Sequence, residues 1–526
     1  MPVLLFNCSI APSQTLATGL TISSCNDELI GIPFVNSRDV LSSSILDPLL
    51  MDPVFVLLIG MLIVFVGILY FKLHAFFTLT LAAMAVAAFS NPELIANFWM
   101  GEGYSATEAA SLASQPFGLR VALAFGVTCG KIGIVICMAS IIGKCLLDSG
   151  AALRIVRAIL RALGEKRAAS AMGASGFFLG IPVFFDTVFY LLVPLAKALA
   201  ASTKRNYGLY VLAIIAGGSI AHSQIPPTPG PLFVAEQLNI DIGMMMISGI
   251  LVGGIAAMSG MAYANWINRR KPIPFRDLEE GGDEKMQHWD EIQDSDLPNL
   301  WLAMTPIVLP LILLSGKTVL TGVAGAAGME LPSWLASLVG LLGDKNVALT
   351  LGASVGLYTL FKIKGGSQIA IKDAMHSALA SGGIVLLITC AGGAFGGMLQ
   401  QSGIRSVVEQ FDVAGGIWFL PMAFLLTAMI RTVQGSATVA MITAVGILAP
   451  MATPETLGFH PIYLAMVIGF GSKPVPWMND SGFWVISKMS GMTEGETLMN
   501  FSVMATIMAI VGLFVSMIAS QVFPLV

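Results

Sequence analysis

Gly133-Ile134-Val135 opens an apolar run ending in Gly143-Lys144-Cys145-Leu146-Leu147-Asp148-Ser149-Gly150. About 250 residues later, Gly383-Ile384-Val385 opens another, ending in Gly396-Gly397-Met398-Leu399-Gln400-Gln401-Ser402-Gly403. The correspondence continues in order. Gly180 to Pro194 (GIPVFFDTVFYLLVP) aligns with Gly435 to Pro450 (GSATVAMITAVGILAP). Gly218-Ser219 and a proline-rich stretch to Gly230 align with Gly471-Ser472 and a similar stretch to Gly482. A repeat this long in a chain this apolar is the pattern of a secondary transporter built from two related halves, with its substrate bound between them.

Of the 526 residues, 56% are hydrophobic and only 11% charged, too little polar surface for a soluble chain of this size. The apolar runs reach the ~20 residues that carry a helix across ~30 Å of hydrocarbon. The composition therefore implies an all-α polytopic membrane protein. The net charge of −4 does not orient it, because sidedness follows where Lys and Arg sit. The six cysteines form no metal or redox pattern. Cys129, Cys137, Cys145 and Cys390 lie in apolar segments, as small packing residues do. Cys8 and Cys25 lie in a polar N-terminal extension without a basic n-region, so no cleaved signal peptide is expected. Neither a cofactor nor a metal is expected.

Full spans are predicted near 53–71, 75–90, 124–147, 207–240, 244–266, 299–315, 346–361, 378–399, 461–488 and 498–522, with 207–240 and 461–488 interrupted by proline clusters. Two segments do not fit as spans. In 168–199 the break Gly180-Ile181-Pro182 leaves a first arm of about 12 residues, or ~18 Å of helix. In 416–450 the break Arg431-Thr432-Val433-Gln434-Gly435 leaves arms of about 14 residues. Arms so short suit re-entrant hairpins whose non-helical tips are sheltered by protein or line a cavity.

Arg154, Arg157, Arg161, Lys166 and Arg167 precede the first hairpin, and Lys197, Lys204 and Arg205 follow its break. The second has Arg405 before it and no Lys or Arg between Met451 and Ile462. The positive-inside rule then brings the first hairpin in from the cytoplasm and the second from outside. It also places Arg269-Arg270-Lys271, Lys362, Lys364 and Lys372 inside. Five spans per half, an odd number, require the second half to be inverted. The expected organisation is an extracytoplasmic extension (1–52), a first repeat (53–266), a cytoplasmic linker (267–298) and a second repeat (299–526). Each repeat holds one re-entrant hairpin and one broken helix, and both termini lie outside. The linker's mixed charges, Asp277, Glu279, Glu280, Asp283 and Glu284 among them, suit a solvated connector.

Ionisable groups within spans are costly and by default suggest function. Asp186 follows the first hairpin break, and Asp480 follows Pro474-Val475-Pro476. Either acid could carry a proton or stay ionised beside a cation; capping a broken helix or pairing with a nearby base is the structural alternative. The run Ile225-Pro226-Pro227-Thr228-Pro229-Gly230-Pro231 stops any continuous helix, and the half-helix beyond it offers free N–H groups to a carboxylate. Gly435-Ser436-Ala437-Thr438 offers the same geometry with two hydroxyls added, although ordinary capping uses the same donors. His222 precedes the first proline break, where a satisfied core residue competes with a role in proton movement. Lys473, at the second, could draw an anion or neutralise Asp480. The glycine run Gly392-Gly393-Ala394-Phe395-Gly396-Gly397 lacks the strand context of a phosphate loop and suits close helix packing instead.

Four segments identify a family. They are Gly-Ile-Pro-Val-Phe-Phe-Asp at 180–186, Pro-Pro-Thr-Pro-Gly-Pro at 226–231, Gly-Ser-Ala-Thr-Val-Ala at 435–440 and Asn-Asp-Ser-Gly-Phe-Trp at 479–484. From about Pro53 to the C-terminus the chain resembles the gluconate permease (gluconate:proton symporter) family. The resemblance implies proton-coupled uptake of sugar acids and related hydroxy acids through a two-hairpin inverted-repeat fold. Its binding region would map onto Asp186, onto Ser436 to Thr438, onto the stretch from His222 and Ser223 through Thr228 and Gly230 to Pro231, and onto Asn479, Asp480 and Ser481; Gly435 and Lys473 join these candidates through their own chemistry at the two breaks. As acids buried within the spans, Asp186 and Asp480 are also the candidates for coupling. Three departures bear on substrate and coupling ion rather than on fold. Thr228 replaces the family's histidine, Pro476-Trp477-Met478-Asn479-Asp480 loses a second one, and Lys473 stands at a usually apolar position. Residues 1–52 and roughly 100–118 look like additions.

The expected partners are a small carboxylate, a proton or sodium ion, membrane lipids and, in a homodimer, a second copy; nucleic acid is not among them. The expected location is the plasma (inner) membrane. An ion/proton antiporter on the same scaffold would also explain the buried acids, but would not need anion-seating half-helices with hydroxyls. A channel would need a filter-like repeated loop, which is missing. A hydrolase would need paired ligands or a nucleophile–base pair, and the five histidines (74, 222, 288, 376, 460) are scattered.

Overall fold

The computed structural model describes residues 52–203, 206–274, 292–403, 416–452, 454–478 and 480–525. The N-terminal extension with Cys8 and Cys25, the acidic part of the linker, Lys204, Arg205, Arg405 and Asn479 lie outside the described residues.

Among the described residues every regular element is helical. In the first half these are α1 (Pro53–Phe65), α2 (Ala75–Phe89), α3 (Pro92–Gly101), α4 (Ala106–Ala113), α5 (Phe117–Asp148) and α6 (Ala151–Leu163). They continue with α7 (Ala168–Leu179), α8 (Phe185–Thr203), α9 (Tyr207–Gln224), α10 (Pro229–Gln237) and α11 (Ile242–Arg270). The second half holds α12 (Leu300–Ala326), α13 (Ser333–Leu342), α14 (Lys345–Ile363), α15 (Gln368–Gln401), α16 (Phe419–Gln434), α17 (Ala437–Leu448), α18 (Ile462–Gly471), α19 (Ser481–Ser490) and α20 (Val503–Val522).

Among the described residues seven helices are long and apolar enough to cross a membrane: α5, α9–α10 taken together, α11, α12, α14, α15 and Glu494–Val522. The bent pair α2–α3 makes an eighth if counted as one span. The structure thus differs from the ten predicted spans. Residues 53–71 form a 13-residue α1 finished by a π-helical turn, Val66–Tyr70. Residues 461–488 form two 10-residue helices, α18 and α19. The span from 75 ends at Phe89, and α3 departs from it at 102°. Asn91 causes that turn, accepting from the Glu93 N–H with Pro92 in the first helical turn. In the region 100–118, a capping box between Ser105 and Glu108 starts α4. Other spans outrun their apolar windows, as α15 does by starting at Gln368, because helical hydrogen bonding continues into polar ends.

The broken helix α9–α10 is the centre of the fold. Its apolar window is 94% buried, against 22% for α12 and 33% for α5. Small residues permit that enclosure. A Cβ on Gly217 would lie 2.0 Å from Gly173 O of α7, and one on Gly249 of α11 would lie 2.4 Å from Gln224 O. In α15, Gly393 gives the same clearance to Thr128 of α5. The exterior carries exposed Leu58, Leu123, Leu251, Ile312, Leu387 and Phe514, the surface a helix presents to acyl chains.

Candidate functional site

Four chain breaks have local causes. α7 ends at Gly180, and α8 resumes at Phe185 with Asp186 in its first turn, where the helix dipole favours a carboxylate. α16 ends on Gly435 at φ +84°, a left-handed cap that glycine adopts without strain. Ser436 then starts α17, its Oγ accepting from Val439 N–H at 3.4 Å. α9 ends before Pro226-Pro227, and α10 resumes at Pro229. α18 ends ahead of Pro474 and Pro476, and Asp480 starts α19, its Oδ1 accepting from Gly482 N–H at 2.8 Å.

A cavity of about 270 Å³ lies where three of these breaks, those after α7, α16 and α18, meet α9 and α15. Of the residues singled out from the sequence, it gathers Asp186, His222, Gly435, Ser436, Thr438, Lys473, Asp480 and Ser481. Three others lie elsewhere. The Ser223 hydroxyl is buried and donates to Ser219 O (3.3 Å) and Ile220 O (3.2 Å). Thr228 Oγ1 donates to Ile225 O at 2.6 Å and borders a separate void of about 10 Å³, too small for a substrate. Gly230 gives α10 room against α17, since a Cβ there would lie 2.1 Å from Met441 Cε. These three shape the α9–α10 break rather than the cavity wall.

The charges are distributed in a way the sequence reading missed. Arg431, in the last turn of α16, is only 5% exposed and lines the cavity. Its Nε donates to Ser472 O at 2.9 Å and its Nη2 to Asp480 Oδ2, while its Nη1 has no partner among the described residues. Asp480, 8% exposed, is therefore neutralised by Arg431 and not by Lys473. The signal was present in the sequence: an arginine inside an apolar arm, at the hairpin break itself. Lys473 is 7% exposed, and its ammonium makes no ion pair among the described residues. Ser219, Phe184 and Phe185 also line the cavity without having been singled out.

Packing of α8 against α19 brings the two acids together. A Cβ on Gly482 would lie 3.3 Å from Asp480 Oδ1 and 3.5 Å from Asp186 Oδ1, so both carboxylates flank this glycine. Asp480 has Arg431; Asp186 has no ion-pair partner among the described residues. His222 Nδ1 is buried without a hydrogen-bond partner among the described residues, and its ring lies 6.0 Å from that of Phe184. With both acids and both bases ionised and His222 neutral, the cavity is formally neutral. It presents hydroxyls, a lysine and one unpaired acid to whatever enters.

The family described as GntP family permease matches residues 108–522. The chain is 32% identical over 400 residues to a gluconate permease of Pseudomonas aeruginosa, covering 76% of this chain and 86% of that one. It is 30% identical over 456 residues to the low-affinity gluconate transporter of Escherichia coli K12, covering 86% and 94%. In fold it is similar to the YdaH transporter of Alcanivorax borkumensis, with a TM-score of 0.55 at 14% identity over 78% of this chain and 91% of that one. The relatives' names bear out a transporter rather than an enzyme. The chain therefore belongs to the GntP permease family, and it is a multi-pass membrane permease.

Proposed function

We propose that the protein is a secondary active transporter that imports gluconate or a closely related small hydroxy carboxylate by proton symport. The observation that carries this reading is the cavity at the chain breaks, where Lys473, Ser436, Thr438 and the unpaired Asp186 face one space. Its volume of about 270 Å³ falls just below the ~300–1,000 Å³ of pockets for drug-sized ligands, as suits a sugar acid. The relatives named for gluconate support the choice of substrate.

Charge balance supports a proton as the coupling ion. A carboxylate entering a neutral, enclosed site leaves it at −1, which is costly in low dielectric. One proton on Asp186 restores neutrality, so anion and proton favour each other's binding. Asp480, held by Arg431, is less free to take part. On this reading α7–α8 and α16–α17 are re-entrant hairpins of two inverted repeats that alternately expose the cavity. The linker is then cytoplasmic, and the protein resides in the inner membrane.

The test is uptake of labelled gluconate into proteoliposomes under an imposed inward proton gradient. Accumulation that a protonophore collapses is the expected result. Accumulation driven equally by a sodium gradient would overturn the coupling. Failure of gluconate and every aldonate tried to exchange in counterflow would overturn the substrate.

A further inference from the structure

A second, larger space lies away from the substrate cavity. It is an open groove of about 940 Å³ between α6, α7, α9, α11 and α12, walled by apolar side chains such as Ile159, Phe177, Phe178, Ile250, Met258 and Met304. Such a lining does not hold water. Leu251, Ile255 and Met258 of α11 are exposed at and beside it, so this face of the molecule meets hydrocarbon.

One end of the groove is polar and positive. Ala162, Ser170, Asn265 and Leu300 mark that end. Arg269 lies four residues beyond Asn265 on α11, one turn further along the same face, and both are exposed. Arg161 adjoins Ala162, and exposed Lys166 and Arg167 precede α7. Arg154, Arg157 and Arg161 share one carboxylate, Asp294, at 3.4 Å, at 2.6 Å and in a still closer contact respectively. Among the described residues, with Arg270, this end carries seven cations (154, 157, 161, 166, 167, 269, 270) against three acids (Glu165, Asp294, Asp296). The surplus is positive.

We propose that this groove is a binding site for an anionic phospholipid, with an acyl chain along the apolar wall and the phosphate at the basic end. A groove open to the bilayer fills with what the bilayer supplies, and a basic rim between spanning helices selects an anionic headgroup. A peptide would leave its backbone groups unpaired along the apolar wall. The acyl chain rests on α7, the helix leading to the break before Asp186, so the lipid braces the first broken segment.

The test uses the full chain in detergent, titrated with phosphatidylglycerol, phosphatidylcholine or inorganic phosphate, and read by native mass spectrometry and melting temperature. Phosphatidylglycerol should be retained and should stabilise more than phosphatidylcholine, while phosphate alone does neither. Gly254→Trp fills the groove where a side chain meets open space. It should keep the basal melting temperature and lose retained lipid at least tenfold. Arg269→Gln should remove the preference between the two lipids. Equal retention of both lipids by the unmodified chain would overturn the basic rim. Full retention in Gly254→Trp would overturn the groove, and equal stabilisation by inorganic phosphate would overturn the acyl contact. These readouts involve no transport, so they stand or fall apart from the proposed function.

Discussion

Arg431 and Asp480 form a buried ion pair that ties the break after α16 to the break before α19. A second tie joins the same two breaks, Trp477 Nε1 donating to Thr432 O at 2.5 Å. Two chain interruptions, each short of backbone partners, are thereby held as one unit on one side of the cavity. Removing one member of a buried pair strands the other charge, at a cost of ~3–5 kcal/mol. Arg431→Met should therefore lower thermal stability sharply, and adding Asp480→Asn should recover most of it. A single variant that melts like the unmodified protein would show that the pair does not hold the breaks together.

Of the two acids at the cavity, Asp186 has no cationic partner among the described residues. Asp186→Asn should abolish accumulation against a gradient while leaving substrate counterflow, because an amide cannot exchange a proton. Folding should be unaffected. Concentrative uptake surviving in this variant would move the coupling role to Asp480.

Because Asp480 is neutralised by Arg431, Lys473 is available to an anion. Lys473→Met should weaken binding of a carboxylate substrate by ~2 kcal/mol, roughly 30-fold in Kd, the scale of a charge-assisted hydrogen bond. A neutral analogue such as the corresponding polyol should lose much less. Isothermal titration of the purified variant reads both, and equal losses would point to general damage to the site.

Gly217 brings α9 against α7 where a Cβ would meet Gly173 O at 2.0 Å and Phe177 N at 2.7 Å. Backbone atoms cannot swing aside. Gly217→Ala should destabilise the protein by ~1–3 kcal/mol, as overpacking does. Gly254→Ala, with open space around it, should be neutral. Melting curves of the two alanine variants side by side make the comparison, and equal shifts would remove the packing explanation.

Sidedness can be read with single cysteines. Lys166→Cys should react with an impermeant maleimide only from the cytoplasm, and Gly458→Cys only from outside; both positions are exposed. Labelling of both from the same side would sink the inverted arrangement of the two hairpins.

Much of the molecule was legible from apolar run length and from proline and glycine. Composition alone implied a polytopic helical protein, since a chain with 11% charged residues must hide its surface in lipid. The four breaks were located at Gly180–Pro182, Pro226–Pro231, Arg431–Gly435 and Pro474–Pro476, because a helix cannot run through residues that lack N–H groups or adopt a left-handed turn. Local chemistry of this kind is carried by neighbours in the chain. Span counts were less legible, because an apolar window cannot tell one bent helix from two short ones.

What the sequence could not supply was pairing across distance. Lys473 and Asp480 are seven residues apart and look like partners, yet Asp480 is bound by Arg431, 49 residues before it. Nor does the local pattern separate Thr228, turned to its own chain at Ile225 O, from Thr438, which faces the cavity. Both stand at helix starts with equivalent hydroxyls, and only the packing of α10 on α17 and α18 decides which one meets a ligand. Local backbone propensity is written residue by residue. The direction of a side chain into a shared cavity is set by helices that meet only once the chain has folded.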